Sequence, residues 1–221
     1  MRRDVIAVLV VCACSAFPLV ARAQACVGAA SFKSGPVRIG AGLTVGDNVK
    51  TYGAQIAAGA AMGPFASLDI GRSEFDDVSD AGTVFGATAG YAIDLTPEKT
   101  VQFCPLVSYS YLSGPEIFTV STSAHAFQMG GSFGGLLSLS PTLDFVPFVG
   151  ASYVNAKATF ELNGNSASDS NDYGQAKVGA GFVVNRQLTL QPSVAIPFGL
   201  DGGKSSFTLA FAYTFGSSAK R

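Results

Sequence analysis

The sequence predicts an all-β fold: a closed, antiparallel, up-and-down transmembrane β-barrel, with ten strands in the first count and eight strands plus an N-terminal extension as the alternative. Three observations carry the prediction. Apolar residues alternate with small or polar ones, at period two, through most of the chain beyond residue 36. The alternating segments run about ten to twelve residues, roughly twice the usual globular strand, which suits a strand tilted about 45° across hydrocarbon. Finally, the face opposite the bulky one is almost uncharged, whereas a soluble sandwich would turn charges to water there.

Composition narrows the alternatives. Of 221 residues 48% are hydrophobic and only 13% charged, with 26 Gly, 17 Phe and no Trp. This excludes disorder, which requires high charge and few aromatics. The 14 Lys and Arg balance 15 Asp and Glu to a net −1, without a basic cluster, so no nucleic-acid partner is expected. Mean hydropathy of +0.35 favours lipid. Past residue 25, however, no apolar run reaches the roughly 20 residues of a membrane helix.

Residues 1–23 read as a secretory signal: Arg2 and Arg3, an apolar stretch from Val5 to Val20, and the small-x-small site Ala21-Arg22-Ala23. Cleavage there leaves 198 residues with 11 basic and 14 acidic side chains, net −3. Cys12 and Cys14 depart with the signal. Cys26 and Cys104 remain in an oxidising compartment as a candidate disulfide; the residues before Cys26 lack the leucine-like position of a lipid-acceptor site. Residues 24–36 are expected to be a periplasmic or plug segment, tethered inside the barrel by that bond. Residues 37–215 form the barrel and 216–221 a tail.

The ten strands are expected near 37–46, 50–61, 63–74, 81–94, 99–112, 123–139, 143–160, 173–184, 187–198 and 204–215. The clearest outward rows are Val101, Phe103, Pro105, Val107, Tyr109, Tyr111; Leu188, Leu190, Pro192, Val194, Ile196; and Phe207, Leu209, Phe211, Tyr213, Phe215. Small residues between them suit a narrow lumen. Short connections at 96–98, 140–142 and 185–186 should face the periplasm, and longer polar ones at 74–81, 113–122, 163–172 and 199–204 the outside. The stretch Asn163 to Asp172 reads as a mobile surface loop, without the spacing of a calcium loop.

One pattern repeats: Val101-x-Phe103-x-Pro105-x-Val107, Leu143-x-Phe145-x-Pro147-x-Val149 and Leu188-x-Leu190-x-Pro192-x-Val194, spaced 42 and 45 residues apart, with a looser copy at Pro64 to Leu68. One hairpin per repeat explains the period. Proline forfeits a ladder bond, so a row of bulges or weakened pairing near the periplasmic rim is expected. With Phe145-Val146-Pro147-Phe148-Val149-Gly150-Ala151, its copies, the signal and the terminal aromatic strand Phe207 to Phe215, the chain resembles the small outer-membrane β-barrel superfamily, which includes OmpA-type and opacity-like barrels. Here Phe215 is followed by six more residues, a departure from the usual aromatic terminus. The resemblance implies residence in the outer membrane of a diderm bacterium, with outer-membrane lipid, lipopolysaccharide and, during biogenesis, the barrel-assembly machinery as partners. It leaves the role open among envelope structure, surface interaction and narrow pore.

Candidate chemistry is sparse. Ser123 and His125 share the outward face with Phe127 and Met129, and lipid A deacylase barrels use a lipid-facing His and Ser. Their order there is His-x-Ser, and no carboxylate stands by to orient His125, so an interfacial histidine is the expectation and no enzyme activity is assigned. No cofactor or metal is implied. Arg38, Gln55, Asp69, Gln102, Gln128, Lys177 and Gln191 should face the lumen, with Asp69 paired to Arg38 or Lys177. Arg72, Tyr109, Tyr111 and Tyr153 should anchor the outer interface. A secreted soluble β-sandwich is the remaining alternative.

Overall fold

A computed structural model describes residues 36–60, 63–76, 78–97, 100–114, 120–162 and 165–216. The expected signal (1–23), most of segment 24–36 and most of the tail therefore lie outside the described residues. Eleven strands follow one another: β1 (Val37–Gly46), β2 (Val49–Gly59), β3 (Gly63–Phe75), β4 (Val78–Asp94), β5 (Val101–Ser113), β6 (Val120–Gly135), β7 (Leu137–Ser140), β8 (Leu143–Leu162), β9 (Asn165–Val184), β10 (Leu188–Phe198) and β11 (Ser206–Phe215). Chain neighbours pair antiparallel except β6 and β7, which both pair with β8, and β11 returns to β1, so the sheet closes without an edge around its belt. Closure is what a membrane demands, because every unpaired backbone group in hydrocarbon costs several kcal/mol.

The extra strand has a local cause. Gly134 pairs with Phe148, and Leu137 with Phe145, in one unbroken register. Thus β7 continues β6, and the barrel has ten staves. The ladder lapses between them opposite Pro147, which has no N–H to offer. The other repeated prolines do the same. Between β4 and β5 pairing skips from Gly90–Leu106 to Ile93–Phe103, across Pro105. Between β9 and β10 it skips from Phe182–Leu190 to Gly179–Ser193, across Pro192. The sequence repeat is therefore a recurring gap, always on the side of the preceding stave.

Side chains sort as the alternation predicts. Along β11, Ser206, Thr208, Ala210, Ala212 and Thr214 are buried, while Phe207, Phe211, Tyr213 and Phe215 are exposed. Along β5, Gln102, Cys104, Leu106, Ser110 and Leu112 are buried, and Val101, Val107 and Tyr109 exposed. Only a lipid solvent makes such an outer surface favourable, since large exposed apolar patches are rare on soluble monomers. From Val101 to Tyr111 the apolar row covers ten steps, about 33 Å of strand at ~3.3 Å each and about 25 Å of height at a tilt near 40°, the thickness of an outer-membrane belt.

Two polar connections are shorter than the sequence suggests. β9 begins at Asn165, and Leu162 pairs with Asn165, so residues 165–172 are strand paired to 155–162 and not a loop. Likewise Phe75 pairs with Val78, turning most of 74–81 into hairpin. Register drives both: once β8 and β9 zip, continued pairing satisfies polar backbone that composition alone would leave to water.

Candidate functional site

Calling the end with the β1–β2, β3–β4, β5–β6, β8–β9 and β10–β11 connections the upper end, two features deserve a functional reading: the lumen and the part of the sheet above the belt.

The lumen is filled in layers. Its upper half holds a buried apolar cluster that includes Val49, Val84, Leu112, Val154 and Tyr173, with Phe75, Phe160 and Leu200 packed against it. Its lower half holds a second, of Ala57, Phe65, Ala92, Cys104 and Leu106. The inner row is thus not uniformly small; glycines opposite the large side chains make room for them. A Cβ on Gly179 would lie 2.6 Å from the Phe148 ring, and one on Gly90 just 2.3 Å from that of Phe65.

Polar groups lie among these clusters and bond one another. Gln55 donates to Asp69 Oδ1 at 2.8 Å and to Ser67 at 3.3 Å. Gln128 spends its two amide hydrogens on Ser152 (2.5 Å) and Gln175 (3.4 Å), and its carbonyl accepts from Ser108. Thr44 meets Thr208, and Thr51 meets Ser73. Gln102, only 1% exposed, donates to Asp94. Arg38, Gln55, Asp69, Gln102, Gln128 and Gln191 are all buried on the inner face. Lys177 is half-buried there, its Nζ 6.0 Å above the Phe148 ring. A hollow bounded by Leu106, Gln128, Phe148, Ser152 and Lys177 measures about 20 Å³, room for about one water. A hollow of about 680 Å³ lies instead on the lipid side, where Ala58, Ala66, Ala87 and Ala89 leave space between Ile56, Leu68 and Tyr109.

Cys104 sits at 0% exposure on the inner face and is disulfide-bonded; its partner lies outside the described residues.

Above the belt the outward rows turn polar. Successive cross-strand partners Arg72, Thr83, Ser113, Ser123, Thr159 and Ser168 form a band of hydroxyls beginning at one cation. Arg72 bonds Glu74 at 3.5 Å. Tyr109, Tyr111 and Tyr153 lie on the outward face below this band, Tyr111 half-buried and the other two exposed. Ser123 and His125 also face outward, but His125 Nδ1 bonds the Tyr109 hydroxyl at 2.5 Å and its ring lies 5.0 Å from that of Tyr111. The imidazole is thus engaged by tyrosines, in an aromatic belt. Among the described residues no group of three His, Cys, Asp or Glu side chains could hold a metal ion.

The feature that sequence reasoning missed is the upward extension of β6, β8 and β9. Residues 155–162 of β8 continue for about 23 Å of strand past Tyr153, flanked by 120–127 of β6 and 165–172 of β9. Asn155 Nδ2 donates to Asp172 Oδ1 at 2.7 Å. That bond, and a second from the Tyr153 hydroxyl, hold the exposed Asp172 carboxyl below its ordinary value. The available signal was Asn163-Gly164, the strongest short hairpin dipeptide. Its neighbours Asn, Ser and Asp have low strand propensity and masked it.

Comparison with known proteins matches the chain to the family model described as "Outer membrane protein beta-barrel domain", over residues 7–215. No curated protein matches it. Among solved structures, it is similar to the translocator domain of the autotransporter NalP from Neisseria meningitidis (16% identity, 81% of this chain and 87% of that one, TM-score 0.47). It is also similar to Ail, the attachment invasion locus protein of Yersinia pestis (13%, 81% and 97%, 0.43). A third is the N-terminal β-barrel domain of OprF from Pseudomonas aeruginosa (12%, 81% and 96%, 0.37).

Proposed function

Because the chain belongs to the outer membrane protein β-barrel family, by its match over residues 7–215, we propose that it is a closed barrel that displays the β6–β8–β9 sheet beyond the outer membrane for surface interaction. The observation that carries this reading is the extension itself: β8 and β9 each run 20 residues, about twice what the belt needs. Among the described residues, two buried apolar clusters and the bonded polar groups between them occupy the lumen, which supports a closed barrel over a pore. The engagement of His125 by Tyr109 argues against acyl hydrolysis with Ser123. Short connections face the periplasm in this reading, and Arg72 with its hydroxyl band lies at the level of lipopolysaccharide headgroups.

Excising 159–168 and joining Ala158 to Asp169 through Asn-Gly keeps the β8–β9 register, because those two residues are partners. The shortened protein is expected to retain heat-modifiable gel mobility. Cells carrying it should lose attachment to immobilised proteins and polysaccharides that cells with the full chain hold. Stepwise conductance of the purified protein in planar bilayers, or attachment indifferent to the excision, would overturn the reading.

Cys26 is read as the partner of Cys104, the signal having removed the other two cysteines, a bond that would tether residues 26–36 as a partial plug. Mass mapping without reductant should return one peptide pair joining Cys26 to Cys104. Recovery of both as free thiols excludes the tether.

A further inference from the structure

Among the described residues, the sheet above the belt has a long open edge along β9. β10 stops at Phe198, paired with Gly174, so, among the described residues, 165–173 of β9 have β8 on one side and no strand on the other. In the β10–β11 connection Leu200 packs against the lumen cluster, and Lys204 Nζ bonds Asp47 in the β1–β2 turn at 2.5 Å.

Which backbone groups point to the edge follows from the ladder. Gly114 N–H donates to Thr122 O, so even-numbered residues of β6 bond toward β5 and odd-numbered ones toward β8. In an antiparallel sheet each residue directs both its N–H and C=O to one side, alternately. Carried across the β6–β8 and β8–β9 registers, odd residues of β9 bond β8, and Ser166, Ser168, Ser170 and Asp172 direct their backbone outward. All four are exposed. The Ser170 N–H donates locally to Asp169 Oδ1 at 2.9 Å, a bond that an incoming strand could replace. Proteins usually blunt such an edge with proline, lysine or a bulge; residues 165–172 contain no proline or lysine.

Charge selects the occupant. On the described part of the sheet Glu161, Asp169 and Asp172 stand against Lys157, and the bonds from Asn155 and Tyr153 keep Asp172 ionised into acid. A second copy pairing with itself would bring like charges together across the new ladder, which is destabilising. We propose that the outer edge of β9, at Ser166, Ser168, Ser170 and Asp172, takes up an extended, positively charged segment of another protein as an added strand. The inference rests on the display reading above and gives it a partner chemistry: backbone bonds supply affinity, and cationic side chains supply preference.

The test uses the full protein in lipid nanodiscs, with two ten-residue peptides, one alternating lysine with threonine and one alternating glutamate with threonine. The lysine peptide is expected to bind and to slow hydrogen exchange at the amides of Ser166, Ser168 and Ser170 by about tenfold or more, with odd-numbered amides unchanged because they already bond β8. Ser168→Pro and Ser170→Pro remove outward N–H groups without touching the β8 ladder, as prolines on edges do, and should weaken the peptide about tenfold or more. Asp169→Lys, which leaves the backbone alone, should shift preference toward the glutamate peptide. Equal binding by the proline variants, equal binding of both peptides to the natural sequence, or protection of the same amides by concentration-dependent dimerisation without peptide would each overturn the proposal. Stepwise conductance would sink the display reading instead, and it leaves the amide readout unaffected, so the two failures are distinguishable.

Discussion

Arginine at Val178 is expected to lower folding stability in a bilayer by about 2–4 kcal/mol, and arginine at Val184 by only about 0–1 kcal/mol. Both valines are on β9, both face outward, and both are well exposed in the bare protein, so residue type, strand and face are matched. Depth is what differs. Val178 pairs with Val149 and Val194, mid-belt residues of β8 and β10, whereas Val184 pairs with Leu143 and Leu188 at the first residues of those strands. An arginine at the rim reaches headgroups by extending its stem; one at mid-belt drags water inward or stays unsolvated. Equilibrium unfolding of the two variants in lipid vesicles measures the difference directly. Equal penalties, or none, would mean that these side chains do not meet hydrocarbon.

The inside and outside of the barrel were legible because a period of two needs nothing beyond the order of residues: Phe211 between Ala210 and Ala212 states its face as soon as the strand is accepted. The stave count was legible for the same reason. Three things were not. Pro147 was visible as a repeat, but that it divides one stave into β6 and β7 depends on which side of β8 its missing N–H faces, and that is a property of pairing. The extension of β8 and β9 was hidden because Ser166, Ser168 and Ser170 are in strand by virtue of partners 155–162, against their own propensity. The apolar filling of the lumen was hidden because Phe75, Phe160 and Leu200 come from the ends and connections of staves, so no single alternating segment announces that they meet Val84 and Tyr173.

That filling sets up the second large effect, at Gly90. Gly90 on β4 is the direct cross-strand partner of Phe65 on β3, and the Phe65 ring folds across it. An alanine Cβ there would stand 2.3 Å from Phe65 Cζ and 2.7 Å from the Pro105 carbonyl oxygen. The ring can move only by leaving the cluster it shares with Leu106 and Ala92, and the carbonyl belongs to the backbone beside the ladder gap. Overpacking of this kind costs about 1–3 kcal/mol, and Gly90→Ala is expected at the upper end because one of its two obstacles is backbone. Phe65→Ala alone should also destabilise, through the cavity it leaves. In the Phe65→Ala background the Gly90→Ala cost should shrink by about 1 kcal/mol or more, the coupling expected of residues in contact, and it should not vanish, because Pro105 O remains. A double-mutant cycle by urea unfolding in vesicles reads both numbers. Additive penalties, or a neutral Gly90→Ala, would show that the lower lumen is looser than the contact between Phe65 and Gly90 requires, and the case against a pore would weaken with it.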